Sequence, residues 1–346
     1  MTMRALAVQA LSDDLSGLAL VEMPVPQPDA DQALVRIEAA ALGFPDLLMT
    51  QGLYQARPAV PFVPGMESAG VIEALGEGAR AAGWQVGDRV ICGSTTGGVA
   101  QYGCFAADSL QPLPDGLSFA QAASLRVAYL TAWVGLHRIG RAQPGEWLVV
   151  HGAAGGVGLA AVDLARELGL HTIAVASSHA KLDAIRALYP VDHSLVGPTG
   201  VRSAVLDLTG GRGADLVYDP VGGDVFDEAC RYTAFGGRLL VVGFAGGRIA
   251  TVGSNIPLIK GFSIHGVRAG EYGRRFPDRG RENLAAIHTM AAQGRIRPQV
   301  HAAVPLDHWR EAFAGMQNRQ VIGRTVILPH ARAPQTKKEP LESGSE

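Results

Sequence analysis

Trp147-Leu-Val-Val-His-Gly152, Ala153-Ala-Gly-Gly-Val-Gly158 and Leu159-Ala-Ala-Val-Asp-Leu-Ala-Arg-Glu-Leu-Gly169 follow one another in the chain. His171-Thr-Ile-Ala-Val-Ala176 and Ser177-Ser-His-Ala-Lys181 come next. An apolar strand, a glycine-rich turn, an amphipathic helix and a second apolar strand make one βαβ unit. Gly152, Gly155, Gly156 and Gly158 permit a tight turn, a close backbone approach to a pyrophosphate, and close packing of helix on strand. Together with Ala153 and Val157 they line the turn, and the helix that follows aims its free N–H groups and positive dipole end at phosphate. A glycine pattern alone is weak; placed between strand and helix it indicates dinucleotide binding.

About 20 residues beyond the glycines, a carboxylate selects the ribose 2′-hydroxyl of NAD. This chain has Ser177, Ser178 and Lys181 there, and no carboxylate before Asp183. Two hydroxyls and an ammonium suit a 2′-phosphate, which a carboxylate would repel. The cofactor is therefore read as NADPH. Ser177 or Ser178 also reads as the cap of the next helix, with Lys181 in its first turn, and capping is compatible with phosphate binding.

The 346 residues suffice for two domains. Hydrophobic residues make up 47% and charged residues 18%, so a packed core is expected. A formal net charge of −2 offers no basic field for nucleic acid. No long uncharged apolar run and no signal-like segment stands out, so a cytoplasmic protein without membrane attachment is expected. Cys92, Cys104 and Cys230 lie far apart, which indicates neither a disulfide framework nor a zinc knuckle.

Ahead of residue 120, short apolar or alternating runs (3–7, 18–21, 33–40, 70–75, 89–92 and 102–106) are separated by turn chemistry such as Gly76-Glu-Gly78, which predicts a β-rich, barrel-like domain. A short helix over 45–51 carries Asp46, and a long helix is predicted over 120–137. Beyond the nucleotide unit, strands over 194–196, 216–219, 239–244 and 263–267 alternate with helices over 201–209 and 224–232, the pattern of a parallel sheet covered on both faces. Its ligands bind at the carboxyl ends of the strands. Helices over 283–293 and 307–317 and a last strand over 321–328 complete the order. Residues 331–346 are read as a disordered tail.

With these stretches placed, the chain resembles the medium-chain dehydrogenase/reductase superfamily, and within it the zinc-free quinone oxidoreductases related to zeta-crystallin. The likeness is carried by Phe44-Pro-Asp-Leu-Leu, Gly52-Leu-Tyr54, Pro64-Gly-Met-Glu-Ser-Ala-Gly-Val-Ile72, Val127-Ala-Tyr-Leu-Thr-Ala-Trp133, His151 to Gly158, Tyr218-Asp-Pro-Val-Gly-Gly223 and Gly236-Gly-Arg-Leu-Leu-Val-Val-Gly-Phe244. It implies an α/β chain: a doubly wound parallel Rossmann sheet over 123–270, with a GroES-like β-rich barrel domain built from 1–122 and 271–330.

The resemblance also implies site residues. Tyr54 matches a tyrosine near the nicotinamide, as hydrogen-bond donor or pocket cap; a half-buried loop aromatic is the plain alternative. Gly43, Phe44 and Asp46 border the substrate pocket, although Asp46 reads first as a turn or cap residue. Thr131, Val221, Gly243, Phe244, Val267 and Arg268 border the cofactor, and Arg319 approaches its 2′-phosphate. His151 is read as structural, with no partner identifiable. Zinc-dependent members place a cysteine just before the Asp46 position and a histidine at that of Met66; both are missing, and zinc needs about three protein ligands.

Without a Lewis acid the acceptor must already be electrophilic, so reduction of a quinone is expected, or alternatively of an alkene conjugated to a carbonyl, such as an enone or enoyl thioester. A non-catalytic NADPH-binding protein is the reading from a different class. The strand over 263–267, if at a sheet edge, would favour a homodimer, as the resemblance does.

Overall fold

The computed structural model describes residues 1–331, so the tail read over 331–346 lies outside the described residues except for Ala331. The strands are β1 Thr2–Val8, β2 Leu18–Pro24, β3 Gln32–Leu42, β4 Glu67–Leu75, β5 Arg89–Gly93, β6 Tyr102–Ala106, β7 Gln111–Pro112, β8 Trp147–Val150, β9 His171–Ala176, β10 His193–Val196, β11 Ala214–Asp219, β12 Thr233–Val241, β13 Ser263–Gly266, β14 Val300–Pro305 and β15 Arg324–Leu328.

A six-stranded parallel sheet has the order β10-β9-β8-β11-β12-β13. The chain builds outward from β8 through β9 to β10, then returns to the other side of β8 with β11. The strand order reverses between β8 and β11, and a crevice opens at their carboxyl ends. Leu148, Val149, Val150, Leu216, Val217 and Leu239 are fully buried, as expected of strands covered on both faces. The N-terminal domain is a seven-stranded sheet, β14-β15-β3-β4-β5-β7 with β6 also on β3, beside the β1-β2 ribbon. Among the described residues no helix is long and apolar enough to cross a membrane.

Three departures from the sequence reading bear on the site. The helix expected over 120–137 is broken. A turn of helix at Phe119–Ala123, capped by Ser118, ends at Ser124, and a second helix runs Arg126–Trp133 into a π-turn at Val134–Ile139. The break occurs where the Val127 N–H is taken by the Glu67 carboxylate, 2.7 Å away. The strand expected over 239–244 stops at Val241, leaving Phe244 in a loop. Residues 271–296 also stay with the dinucleotide half: helix Pro277–Ala292 buries Ile287, Met290 and Ala291 in the core that holds Leu164 and Ala165. The chain re-enters the barrel at β14, later than residue 271.

One buried carboxylate ties these pieces together. Asp163, on the glycine-turn helix Gly156–Glu167, is 4% exposed. It accepts the Tyr129 hydroxyl at 2.7 Å and the Arg297 N–H at 2.7 Å. Burial is the main cause that pushes its pKa from 3.8 up to about 6, against the pull of these donors and Arg166. Below about pH 4 Asp163 is protonated whether folded or unfolded; between about 4 and about 6 only the unfolded chain gives up the proton, so stability falls across that window and stays lower above it. The rise corresponds to about 3 kcal/mol. Asp163→Asn keeps an acceptor without the charge. Thermal unfolding of both proteins from about pH 4 to about pH 8 is expected to show their stability difference moving towards the variant as pH rises to about 6 and levelling off above it. A difference that does not change with pH would mean that Asp163 titrates in the ordinary range.

Candidate active site

The crevice is built on the glycine turn. Gly152 adopts φ +54, and a Cβ on Gly158 would lie 2.3 Å from the Gly152 carbonyl oxygen, so side chains are excluded by geometry. The first bond of the helix runs from Leu159 N to Gly155 O at 2.8 Å. The N–H groups of Val157 and Gly158 come before that bond and can face a ligand, while the Gly156 N–H is turned to Gly323 O in the bridge that joins the turn to the C-terminal segment. Ala153 N bonds back to Val175 O at 3.0 Å, fixing the turn on β9. Val221 lies against the turn, its Cγ2 3.2 Å from where a Gly152 Cβ would be. The Val221 loop is itself held by Asp219, whose Oδ1 accepts the Val221 and Gly222 N–H groups at 2.8 and 2.9 Å.

The C-terminal segment closes over this turn. Gly323 N donates to Ala154 O at 2.8 Å, and Arg324 sits so close to Gly156 that a Cβ there would be 2.7 Å from its Cδ. The same guanidinium lies 2.9 Å from where a Gly43 Cβ would be. It donates to Glu67 Oε1, and its Nε is buried with no partner. Burial lowers its pKa to about 10, with Asp46 opposing the shift. Asp46, 1% exposed, accepts the N–H groups of Gly43, Gly65 and Met66 at 2.8, 3.0 and 3.1 Å. Desolvation raises its pKa, and these contacts and Arg324 oppose the rise. Asp46 thus works as a cap that fixes the Gly43–Phe44 and Gly65–Met66 turns.

At the other end of the crevice, Ser178 caps helix His179–Leu188 by accepting from Lys181 N at 3.4 Å. The Lys181 ammonium donates to Ser177 Oγ at 3.1 Å and to Arg319 O at 2.6 Å. Burial and the neighbouring Arg319 lower its pKa, the electrostatic signature of a place that would take an anion. Arg319, at φ +55, reaches the Ala245 carbonyl at 3.3 Å. Ala245 and Gly246 in turn bond to Pro220 O and Val221 O at 3.0 and 2.8 Å. Capping and a basic cluster coexist here, and Ser177, Ser178, Lys181, Arg319, Val221 and the loop of Gly243 and Phe244 form one continuous rim.

Thr131 hydrogen-bonds Val127 O at 2.7 Å, on the helix whose start is held by Glu67. Val267, anchored to Val241 O at 2.8 Å, packs where the π-turn passes at Gly135. Arg268 is exposed at the start of the next helix. Tyr54 stands apart: its ring packs on the barrel core and its hydroxyl accepts from Gln55 at 3.3 Å. His151 does have a partner, the Tyr232 hydroxyl, and burial drives its pKa down to about 3, so it stays neutral beneath the turn. Arg324, Glu67 and Asp219 were missed from the sequence. Their signal is a charge inside otherwise apolar strands, since buried charges are rarely unpaired.

A dinucleotide cradle set against a barrel, with the crevice between them, defines a two-domain oxidoreductase of the dehydrogenase type. Residues 29–115 match the alcohol dehydrogenase GroES-like domain and residues 156–286 the zinc-binding dehydrogenase domain. Quinone oxidoreductase-like protein 2 of Bos taurus is 34% identical over 321 residues, 92% of this chain and 91% of that protein. A phenolphthiocerol/phthiocerol polyketide synthase component from Mycobacterium tuberculosis is 33% identical over 321 residues, 90% of this chain and 14% of that longer protein. The quinone oxidoreductase of Thermus thermophilus, solved also in complex with NADPH, superposes with a TM-score of 0.83 at 30% identity, covering 94% of this chain and all of that one. The chain belongs to the quinone oxidoreductases of the medium-chain dehydrogenase/reductase superfamily.

The glycine cradle and the orphaned Arg324 Nε fit a dinucleotide pyrophosphate. The residues do not fit a zinc ion. Met66 stands at the histidine position, Asp46 is committed to three backbone donors and Glu67 to Arg324 and Val127. Among the described residues no group of three or more His, Cys, Asp or Glu could hold a metal.

Removing one member of a buried ion pair costs about 3–5 kcal/mol, whereas replacing both is often neutral. Arg324→Met is therefore expected to lower the unfolding temperature strongly, and Glu67→Gln with Arg324→Met to restore most of it. Unfolding of the double variant at the temperature of Arg324→Met would show that packing rather than charge holds this position.

Proposed function

We propose that this chain is an NADPH-dependent reductase of quinones that works without zinc, as a homodimer. The observation that carries the reading is the commitment of Asp46 and Glu67 to partners at the place where dehydrogenases hold a metal. With no Lewis acid to polarise a hydroxyl, the acceptor has to be electrophilic already. When bound, NADPH supplies the hydride. The protein's part is to hold the two reactants in contact, and positioning of this kind is worth about 7–11 kcal/mol. Val157 and Gly158 N–H groups with Arg324 receive the pyrophosphate, Ser177, Lys181 and Arg319 the 2′-phosphate. Thr131 and Val267 border the nicotinamide, and Gly43, Phe44 and Tyr54 the acceptor, with Tyr54 a hydrogen-bond donor to its oxygen.

Reduction of an activated alkene is the second reading, favoured by the likeness to a polyketide synthase component. NADPH oxidation with naphthoquinone, phenanthrenequinone, an enone and an enoyl-CoA ester, each with and without EDTA, tests both. Fastest turnover on the quinones, unchanged by the chelator, is the expected result; preference for the enoyl ester would select the second reading. Loss of activity in EDTA would refute the zinc-free chemistry, and no turnover with any acceptor would leave a non-catalytic NADPH binder.

Lys181→Ala is expected to weaken NADPH binding about 10–100-fold, the worth of one charge-assisted hydrogen bond, and to leave NADH nearly unaffected. Equal losses measured for both cofactors would instead assign Lys181 to holding the Arg319 loop.

Strand β13 pairs on one side only, at the edge of the sheet. Phe235 is 87%, Leu258 80% and Ile259 74% exposed nearby, on the start of β12 and on helix Asn255–Lys260, which leads into β13. An open edge beside apolar side chains favours pairing with a second copy. Light scattering is expected to give the mass of a dimer that Phe235→Glu with Leu258→Glu dissociates; a monomeric wild type at micromolar concentration would count against it.

A further inference from the structure

Towards the amino ends of β8, β12 and β13, at the opposite end of the sheet from the glycine turn, lies a solvent-open cavity of about 560 Å³. Arg138, Arg141, Gln143, Glu146, Arg238 and His265 wall it. Its size falls within the range of small-molecule sites. Arg238 is spent on Glu146, at 2.9 and 2.7 Å, and on Gly140 O at 2.8 Å. Arg138 is spent on Asn283 and Glu282, both at 2.7 Å. Arg141 differs: its side chain makes no hydrogen bond or ion pair among the described residues. Its backbone stands at φ +48, a left-handed conformation that a residue with a Cβ adopts at a penalty. An arginine kept where glycine would be easier points to a use for its guanidinium. His265 sees the same positive field. Burial, Arg238 and Arg141 lower its pKa, and its Nε2 bonds Ser263 Oγ at 2.9 Å.

We propose that this cavity binds a phosphorylated sugar, with Arg141 as the principal phosphate contact. Phosphate follows from the guanidinium, which pairs with it through parallel N–H donors. The hydroxyl-rich body follows from the walls. Ile139 is the one aliphatic side chain and the imidazole the one ring, so a nucleobase would find little to stack on. The Oε1 of Gln143, which accepts no hydrogen bond among the described residues, provides an acceptor for a hydroxyl group, whereas both oxygens of Glu146 already receive Arg238 and one of them also the Gln143 N–H.

The test is isothermal titration calorimetry of the full chain held in saturating NADPH, which fills the cofactor's own phosphate contacts. Glucose 6-phosphate, glucose and ATP are the probes. Glucose 6-phosphate is expected to bind, glucose not to bind, and ATP to bind no better than the sugar phosphate. Arg141→Ala should weaken glucose 6-phosphate about tenfold or more. Arg141→Gly should do the same while relieving the backbone, so its loss cannot come from misfolding; NADPH affinity and circular dichroism serve as checks. Absence of glucose 6-phosphate binding, unchanged affinity in Arg141→Gly, or tighter binding of ATP would each overturn the proposal.

Discussion

A guanidinium and a carboxylate that hardly meet water hold the two halves of this molecule against each other. Glu67 comes from β4 of the barrel and Arg324 from β15, at 1% and 7% exposure. Each also reaches across the domain boundary. Glu67 receives the N–H that starts the helix bearing Thr131, and Arg324 lies on the glycine turn. Withdrawing two charges from water is unfavourable unless their geometry and remaining hydrogen bonds compensate. Glu67 is compensated from both halves at once, by Arg324 and by the Val127 N–H, while the Arg324 Nε stays without a partner beside the glycine turn. Gly43 and Gly156 follow from the pair, because the guanidinium occupies the space a side chain would need on either.

The same cluster decides what chemistry the crevice can support. A carboxylate serves as a metal ligand or a base only if its lone pairs are free. Asp46 directs its oxygens to backbone donors of two turns, and Glu67 directs its own to an arginine and a helix start. Groups that could be reactive have become scaffolding. The cationic groups left facing the crevice are Arg324 beside the pyrophosphate cradle and Lys181 with Arg319 at the far rim, both placed for an anionic ligand rather than for proton transfer.

What the sequence made legible was whatever local backbone chemistry controls. The glycine turn, the strand-helix alternation and the Ser178 cap are fixed by residues within a few positions of each other. Contacts across long separations were not legible. His151 meets Tyr232, 81 positions away, and Glu67 meets Arg324, 257 positions away. Periodicity shows that helix Pro277–Ala292 buries a face, but not which layer receives it, so the crossing back to the barrel was read too early. The break after Ser124 was hidden for a related reason, because an apolar run over 120–137 gives no sign that a distant carboxylate will take one of its N–H groups. Asp46 was readable as a cap from its place in a short helix, though not its reach to Gly65 and Met66. Tyr54, read through resemblance, sits on the barrel core with only its neighbour Gln55 at its hydroxyl.

The barrel is assembled from both ends of the chain, and this has a consequence for biosynthesis. Residues 147–266 supply every strand of the parallel sheet, so its strands can pair while the remainder is still being translated, although one face stays open until helix Pro277–Ala292 arrives. The crevice cannot form so early: Arg319, Gly323 and Arg324 are among the last of the described residues to leave the ribosome, and β15 must still dock on β3. Until then Glu67 has no counterion and the glycine turn lacks its cover. A nascent chain therefore carries a folded nucleotide half without a working site, and the barrel, whose N-terminal strands appear first, is finished last.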